Sequence, residues 1–514
     1  MKNTSAELAL QALIVSTIFV LMDFFFEGRS GLNLGDEGFL WYGAQRVMHG
    51  AVPIRDFMAY DPGRYYWSAA FMDIWGNDGI IALRVAVATF QAIGLFFGLF
   101  LLGRVGRGGN FLFLVVIAIT MMMWMYPRHK LFDISISIIL ISALAFLVEK
   151  QIWERYFFAG LCVGVVATFG RNHGVYGIFG SLGVMVWLSI GKRREFGFGK
   201  GVVFWSIGVI LGFSPIILMA LLLPGFAISF IESIRFLFEI KSTNLPLPIP
   251  WPWQVKFSSI PLEDTLREML IGIFFIGIVA FGVLSVSWVF QKRLQGRATP
   301  STLVAASFFA FPYAHYAYSR ADVNHLAQGI FPFLIGSFAL LATQSFKVKW
   351  SLSLILCGTS VWVMCVIHPG WQCQINRQCV NVEISGSNLL MDAGTASDVT
   401  VLRNLAGSYA PAGRSFVAAP FWPGAYALLG RQSPMWEIYA LFPRSLIFQR
   451  VEIERIKKAG PGFVIVNDAG LDGRDDLRFS NTHALVYKYI LDNFDRLPED
   501  PSSDNQIYKA KGLQ

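Results

Sequence analysis

Apolar residues gather in long runs, at about 8–26, 80–102, 111–126, 131–148, 156–169, 175–190, 202–223, 266–290, 303–318, 329–342 and 350–367. A run of ~20 apolar residues is long enough to cross a bilayer as a helix, and continuous hydrophobicity of this length is a membrane signal rather than a core signal. The pattern predicts an α-helical polytopic membrane protein with about eleven spans. Several runs are short, and a polar break falls at Gly170 to Gly174. From about His368 the pattern changes. Asp, Asn, Gly and Arg become frequent and no later run could span a bilayer. Short apolar stretches at 416–419 and 463–466 predict buried strands, and 451–458 and 484–493 predict helices. Gly460-Pro461 is a helix stop. The expected organisation is a transmembrane domain over 1–367, with polar loops at 27–79 and 224–265, followed by a small α/β domain over 368–514.

Composition agrees. Of the 514 residues, 54% are hydrophobic and only 15% are charged, against about 25% charged in soluble domains. Mean hydropathy is +0.52. The formal charge of +8 suggests an anionic polymer until its distribution is examined. With the N-terminus placed in the cytoplasm and the spans alternating, the short cytoplasmic turns hold Arg104 and Arg107, Lys150 and Arg155, Lys192, Arg193, Arg194 and Lys200, Lys292, Arg293 and Arg297, and Lys347 and Lys349. Only Glu149, Glu154 and Glu195 oppose them. That is the positive-inside asymmetry, and it removes any need for a nucleic acid partner. Gly197 to Gly201 lacks the spacing of a phosphate-binding loop. The first apolar run has no small-residue cleavage site and reads as an uncleaved span. The expected location is the inner (plasma) membrane, with the N-terminus cytoplasmic and the tail domain periplasmic.

The same alternation sends the chemically varied segments to the outer face: 27–79, Pro127 to Lys130, Gly170 to Gly174, 224–264 and Ser319 to His325. Cys373 and Cys379, the two cysteines outside apolar runs, fall on this side, where oxidising conditions would let them pair across a short loop. Cys162, Cys357 and Cys365 read as apolar fillers.

Among the outer segments, 35–67, GDEGFLWYGAQRVMHGAVPIRDFMAYDPGRYYW, sets several acids and arginines among aromatic residues. Asp36 and Glu37 either cap the next helix, or one acts as general base while the other orients the acceptor or a metal. Arg55, Asp56, Tyr60 and Arg64 follow. Arg128, Lys130 and Asp133 either anchor a helix at the interface or face substrate. Arg171-Asn172-His173 interrupts two apolar runs between glycines, so its polar groups face protein or water. Arg320, Asp322 and His325 pair among themselves or bind ligand. Histidines 129, 173, 315 and 325 lie near acids and leave a divalent metal open, Zn with imidazole or Mg or Mn with carboxylates alone. No tight ligand motif fixes it. The prolines of Leu245 to Trp253, LPLPIPWPW, forbid a regular helix and favour extended or polyproline II structure, either as an aromatic belt or as a cover over a lipid donor.

An acidic pair just past the first span, an amphipathic segment, a Pro-Ile-Arg-Asp-Phe turn and a Tyr-rich Pro-Gly stretch together resemble the membrane-embedded GT-C glycosyltransferases. The resemblance is to the branch of protein O-mannosyltransferases and aminoarabinose transferases of lipid A. It is carried by Asp36, Glu37, Gly38, Tyr42, Gln45, Gly50, Pro53, Arg55, Asp56, Phe57, Tyr60, Pro62, Gly63, Tyr65 and Tyr66. It implies a polyprenyl-phosphate sugar donor, an acceptor outside the cytoplasm (envelope glycan, lipid or protein) and Asp36 near the reacting centre. Arg55, Arg64, Arg128, Lys130, Arg171 and Arg320 are candidates to stabilise the departing phosphate. The rival readings are a transporter or flippase of lipid-linked saccharide, which would be expected to show internal repeats, and a non-catalytic assembly protein.

Overall fold

The computed structural model describes residues 5–105, 110–190, 197–241, 244–257, 261–498 and 505–512. Arg107, Lys192, Arg193, Arg194 and Glu195 of the basic turns lie outside the described residues. The chain divides into two compact units. One takes in residues 1–28, 84–224 and 241–372, and the other residues 29–83, 225–240 and 373–514. The second unit therefore gathers the loop expected at 27–79 together with the tail domain.

In the first unit each of the apolar runs is helical. Among the described residues, five helices are long and apolar enough to cross a membrane: Ser5–Glu27, Ile80–Gly103, Arg128–Glu149, Phe198–Leu222 and Leu262–Leu294. A sixth arises if the bent pair Val323–Gly329 and Phe331–Leu341 counts as one span. The 52° bend sits where Pro332 occupies the start of the second helix, a position that removes a backbone donor from the ladder. The other runs form shorter or more polar helices, including Phe111–Trp124, Trp153–Phe169, Arg171–Ser189, Ser301–Ser319 and Phe346–Met364. The expected break at 170–174 is narrower than the sequence suggests. Only Gly170 is extended, and Arg171 already begins the next helix.

Burial sorts the helices. Leu131–Glu149 is enclosed along most of its length, down to Ser135 and Ser137. Ser5–Glu27 and Phe198–Leu222 leave Leu10, Leu13, Phe25, Ile210, Leu211 and Leu221 exposed. Water would not tolerate that apolar area, whereas lipid is a matching solvent. Trp153–Phe169 and Phe198–Leu222 approach closely. A Cβ on Gly160, Gly164, Gly208 or Gly212 would run into backbone of the facing helix. Reciprocal small residues four apart are how helices pack where lipid gives no hydrophobic drive.

In the second unit, Asp36–Met48 and Pro62–Trp75 are helices. The stretch 225–240, read from sequence as loop, is mostly the helix Phe226–Glu239. It exposes Ile228, Ile231 and Phe238, the pattern of an interfacial helix. The hairpin Cys379–Ile384 and Ser387–Asp392 turns through Ser385 and Gly386, both at positive φ, as a two-residue hairpin loop requires. The four-stranded sheet places Val417–Ala419 parallel to Phe463–Asn467. Asn505–Ala510 lies antiparallel between Phe463–Asn467 and Phe494–Arg496. Its core is Val417, Val464, Val466, Ile456, Val486, Ile490 and Phe494. Gly460, in the left-handed conformation, closes the helix Leu446–Ala459. Cys373 and Cys379 are joined by a disulfide across Cα atoms 4.9 Å apart.

Candidate functional site

The sequence-nominated residues fall into two groups, one in each unit. In the second unit, Asp36 opens the helix Asp36–Met48, where acids suit the free amide groups. Its own N–H donates to Asn33 Oδ1 at 2.7 Å, and its Oδ1 accepts the Tyr439 hydroxyl at 2.7 Å. Glu37 beside it is buried. The helix is fixed by close backbone contact. A Cβ at Gly38 would meet the backbone of Gly424, whose N–H donates to Leu34 O at 2.8 Å. Tyr42, on the same helix, accepts the Ser433 N–H at 3.0 Å.

Arg55 and Asp56 form a two-pronged pair at 2.7 and 2.8 Å, and Asp56 also accepts the Val52 N–H at 2.7 Å. The Arg55 hydrogen bond is the main cause holding the Asp56 carboxyl below its ordinary range. Ile54, at φ 72°, is a β-branched residue in left-handed backbone and is strained. Its N–H donates to Phe57 O at 3.0 Å, and its carbonyl accepts Trp436 Nε1–H at 3.1 Å, which together hold the turn. Buried Arg64 lies over the Tyr60 ring at 4.7 Å, and that ring packs edge-on against Phe39.

Asp36 lines a cavity of about 330 Å³ with Asn33, Thr395, Asp398, Trp422 and Tyr439. Half-burial and nearby Asp392 push the Asp398 carboxyl up to about 6. Asp398, Trp422 and Tyr439 were not nominated from sequence. They are single residues without a motif, far from Asp36 along the chain, and no local signal ties them to it.

In the first unit, His173 is fully buried. Its Nε2 meets Asp133 Oδ1 at 2.9 Å and its Nδ1 meets the Tyr313 hydroxyl at 2.9 Å. Three helices are thus joined through one imidazole. Arg320 Nε donates to Asp322 Oδ2 at 3.0 Å, and its Nη1 donates to Leu245 O at 3.2 Å. Asp322 caps the helix Val323–Gly329 through the His325 N–H and also meets His325 Nδ1, both at 2.8 Å. Asn244 donates to His325 Nε2 at 2.7 Å. Burial would raise the Asp322 carboxyl, but the His325 bonds and the Arg320 charge outweigh it and hold it below its ordinary range. Arg128 and Lys130 form one helical turn before Leu131, and Arg128 Nη1 reaches Glu27 O at 3.4 Å. Arg171 begins its helix.

Among the described residues, the group of carboxylates and imidazole close enough to share a divalent ion is Asp23, Glu27 and His368, with donor atoms within 4.8 Å of one another. None of the histidines nominated from sequence belongs to it. His368 Nε2 donates to Met123 O at 3.0 Å, leaving Nδ1 toward Glu27 Oε2 at 3.1 Å. An imidazole oriented by a backbone carbonyl is the usual posture of a metal-binding histidine, so the donors fit an ion that accepts both nitrogen and oxygen, such as zinc.

No protein-family model matches this chain, and no curated protein sequence does. Solved structures match in shape. ArnT from Cupriavidus metallidurans bound to undecaprenyl phosphate aligns with TM-score 0.56 and 11% identity, covering 98% of this chain and 98% of ArnT. ArnT in the apo state aligns with TM-score 0.56 and 11% identity over 96% of this chain and 97% of that one. The oligosaccharyltransferase AglB from Archaeoglobus fulgidus, in complex with an inhibitory peptide and a dolichol-phosphate, aligns with TM-score 0.45 and 13% identity over 98% of this chain and 74% of AglB.

Proposed function

From a chain that shares the ArnT fold over nearly its whole length, a fold of the GT-C class, we propose a membrane glycosyltransferase that moves a sugar from a polyprenyl-phosphate donor to an extracytoplasmic acceptor. The observation that carries this reading is the setting of Asp36. It stands at a helix start, its carboxylate is oriented by Tyr439, and it lines a cavity. The neighbouring ArnT, itself crystallised with undecaprenyl phosphate, supports a lipid phosphate as the leaving group.

The reaction is one displacement. Asp36 takes the proton from the acceptor hydroxyl, and the acceptor oxygen bonds to the anomeric carbon. The bond from that carbon to the phosphate oxygen breaks, and its electron pair leaves on the lipid phosphate. Outer-face arginines hold the departing anion, as fixed positive groups do well in a partly dry site. Arg128, Lys130, Arg171 and Arg320 are the candidates in the helical unit, and Arg55 and Arg64 those in the other. The tight Arg55–Asp56 fork and the stacked Arg64 favour roles in shaping the loop around Asp36. A divalent ion would be held by Asp23, Glu27 and His368, where it would supply positive charge. On this reading the protein sits in the inner membrane, with its N-terminus in the cytoplasm and its tail domain in the periplasm.

Purified protein, a labelled polyprenyl-phosphate sugar and an envelope extract test the proposal. Asp36→Asn should lower transfer about 10²–10⁴-fold, the range for a lost general base, with unchanged melting temperature. Transfer retained by Asp36→Asn would remove Asp36 from the mechanism.

A further inference from the structure

The cavity beside Asp36 has features that the displacement alone does not need. Among the described residues its lining contains no lysine or arginine, so it is not built for the donor's phosphate. Its lining mixes the Asp398 carboxylate, Thr395 and Asn33 with Leu32, Leu34 and Trp422. Thr395 is held in place because its hydroxyl donates to Asp392 Oδ2 at 2.7 Å and its N–H to Asp392 Oδ1 at 2.9 Å. Its oxygen still has acceptor capacity toward a ligand. At about 330 Å³ the space is that of a small-molecule site, too small for a folded segment.

We infer that this cavity is the acceptor subsite and that it takes an unphosphorylated saccharide. One face of the sugar ring lies against Trp422, other hydroxyls are received by Asp398 and Thr395, and one hydroxyl is turned toward Asp36. This assignment rests on the reading of Asp36 as the base. A sugar ring is the ligand whose surface matches such a lining. Its C–H face is apolar and flat, while its rim is a ring of donors that carboxylates accept. A lipid chain would waste both carboxylates, which would lose water without gaining a donor. A phosphorylated sugar would meet Asp36 and Asp398 with like charge and no compensating cation in the described lining.

The experiment uses the full-length protein in nanodiscs. Three probes are prepared from the envelope of cells lacking it: the delipidated saccharide fraction, the lipid fraction and the protein fraction. Saturation-transfer NMR reads binding. The saccharide fraction should bind. Asp398→Asn and Trp422→Ala should each weaken it about tenfold, and Trp422→Phe should restore much of the loss. Melting temperatures of the variants should stay near that of the wild type. Absence of saccharide binding would overturn the assignment. So would binding unchanged by Asp398→Asn and Trp422→Ala, or preferential binding of the lipid, protein or phosphorylated material. Asp36→Asn transfer activity tests the underlying function separately, so the two failures are told apart.

Discussion

His173 and Asp36 are both polar residues placed by the sequence among apolar runs, and the fold treats them in opposite ways. His173 is sealed, and both of its nitrogens are satisfied by Asp133 and Tyr313 from other helices. Asp36 has one oxygen on Tyr439 and stands at the wall of a cavity. Inside a helical bundle a polar side chain must find protein partners, because lipid offers none. It then serves as a tie. At a cavity the same kind of side chain keeps reach toward a ligand. Charge near a membrane therefore indicates chemistry only when the surrounding space admits a substrate.

The sharpest break of this comparison pairs Asp36→Asn with Asp133→Ala. The first should remove about 10²–10⁴ of the transfer rate and leave the amount of folded protein unchanged. The second strands a buried imidazole, a loss of about 3–5 kcal/mol for a broken buried pair, and should lower folded yield in the membrane. Fluorescence size-exclusion profiles read the yield, and labelled-sugar transfer normalised to folded protein reads the rate. If Asp133→Ala lowered the normalised rate as far as Asp36→Asn while folding normally, His173 would belong with the chemistry and the contrast would fail.

Next in size is Gly164→Leu. Its side chain has nowhere to go against the facing backbone near Val209 and Gly212, so the helix pair must separate. Overpacking of this kind costs about 1–3 kcal/mol, read as a fall in melting temperature in detergent. Gly358, with open space around it, is the control, and Gly358→Leu should change little. Arg55→Lys is smaller. Lysine cannot reproduce the two-pronged contact to Asp56, and the pair is about one-third exposed, so the loss is about 0.5–1 kcal/mol. The readout is faster proteolysis of the turn around strained Ile54.

The apolar runs marked nearly every helix of the bundle because hydrophobicity over a full span is a local property of the chain. The polar breaks were harder to read. The stretch at 170–174 looked like a loop because Arg171, Asn172 and His173 are polar, yet helical backbone continues from Arg171, since buried partners satisfy His173. The stretch at 225–240 likewise hid an amphipathic helix among neighbouring prolines. Asp36 could be nominated because its acidic pair, just past an apolar run, belongs to the stretch that resembles the GT-C glycosyltransferases. Tyr439, Trp422 and Asp398 could not, because their meeting with Asp36 depends on tertiary packing of the tail domain. The Asp23, Glu27 and His368 group was hidden for the same reason. Two of its members lie within an apolar helix and the third is far away along the chain.

The smallest predicted effect concerns Asp398 and refines what the cavity asks of its side chains. Its carboxyl is raised to about 6 in the folded protein by burial and by Asp392, against ~3.9 in an unfolded chain. Between those values the folded state holds a proton that the unfolded state has released, so this group's contribution to stability falls as pH rises from about 4 to 6. Above about 6 the penalty is complete. Because the side chain is only half buried, solvent screens it and the cost is on the order of 1 kcal/mol. Asp398→Asn removes the charge and should therefore raise the melting temperature by about 2 °C at pH 7.5, with the gain vanishing near pH 4. A gain that persisted unchanged at pH 4 would mean that the introduced amide stabilises by packing. A loss at pH 7.5 would mean that the ionised carboxylate is already compensated by a partner, which would tie Asp398 down in the way His173 is tied.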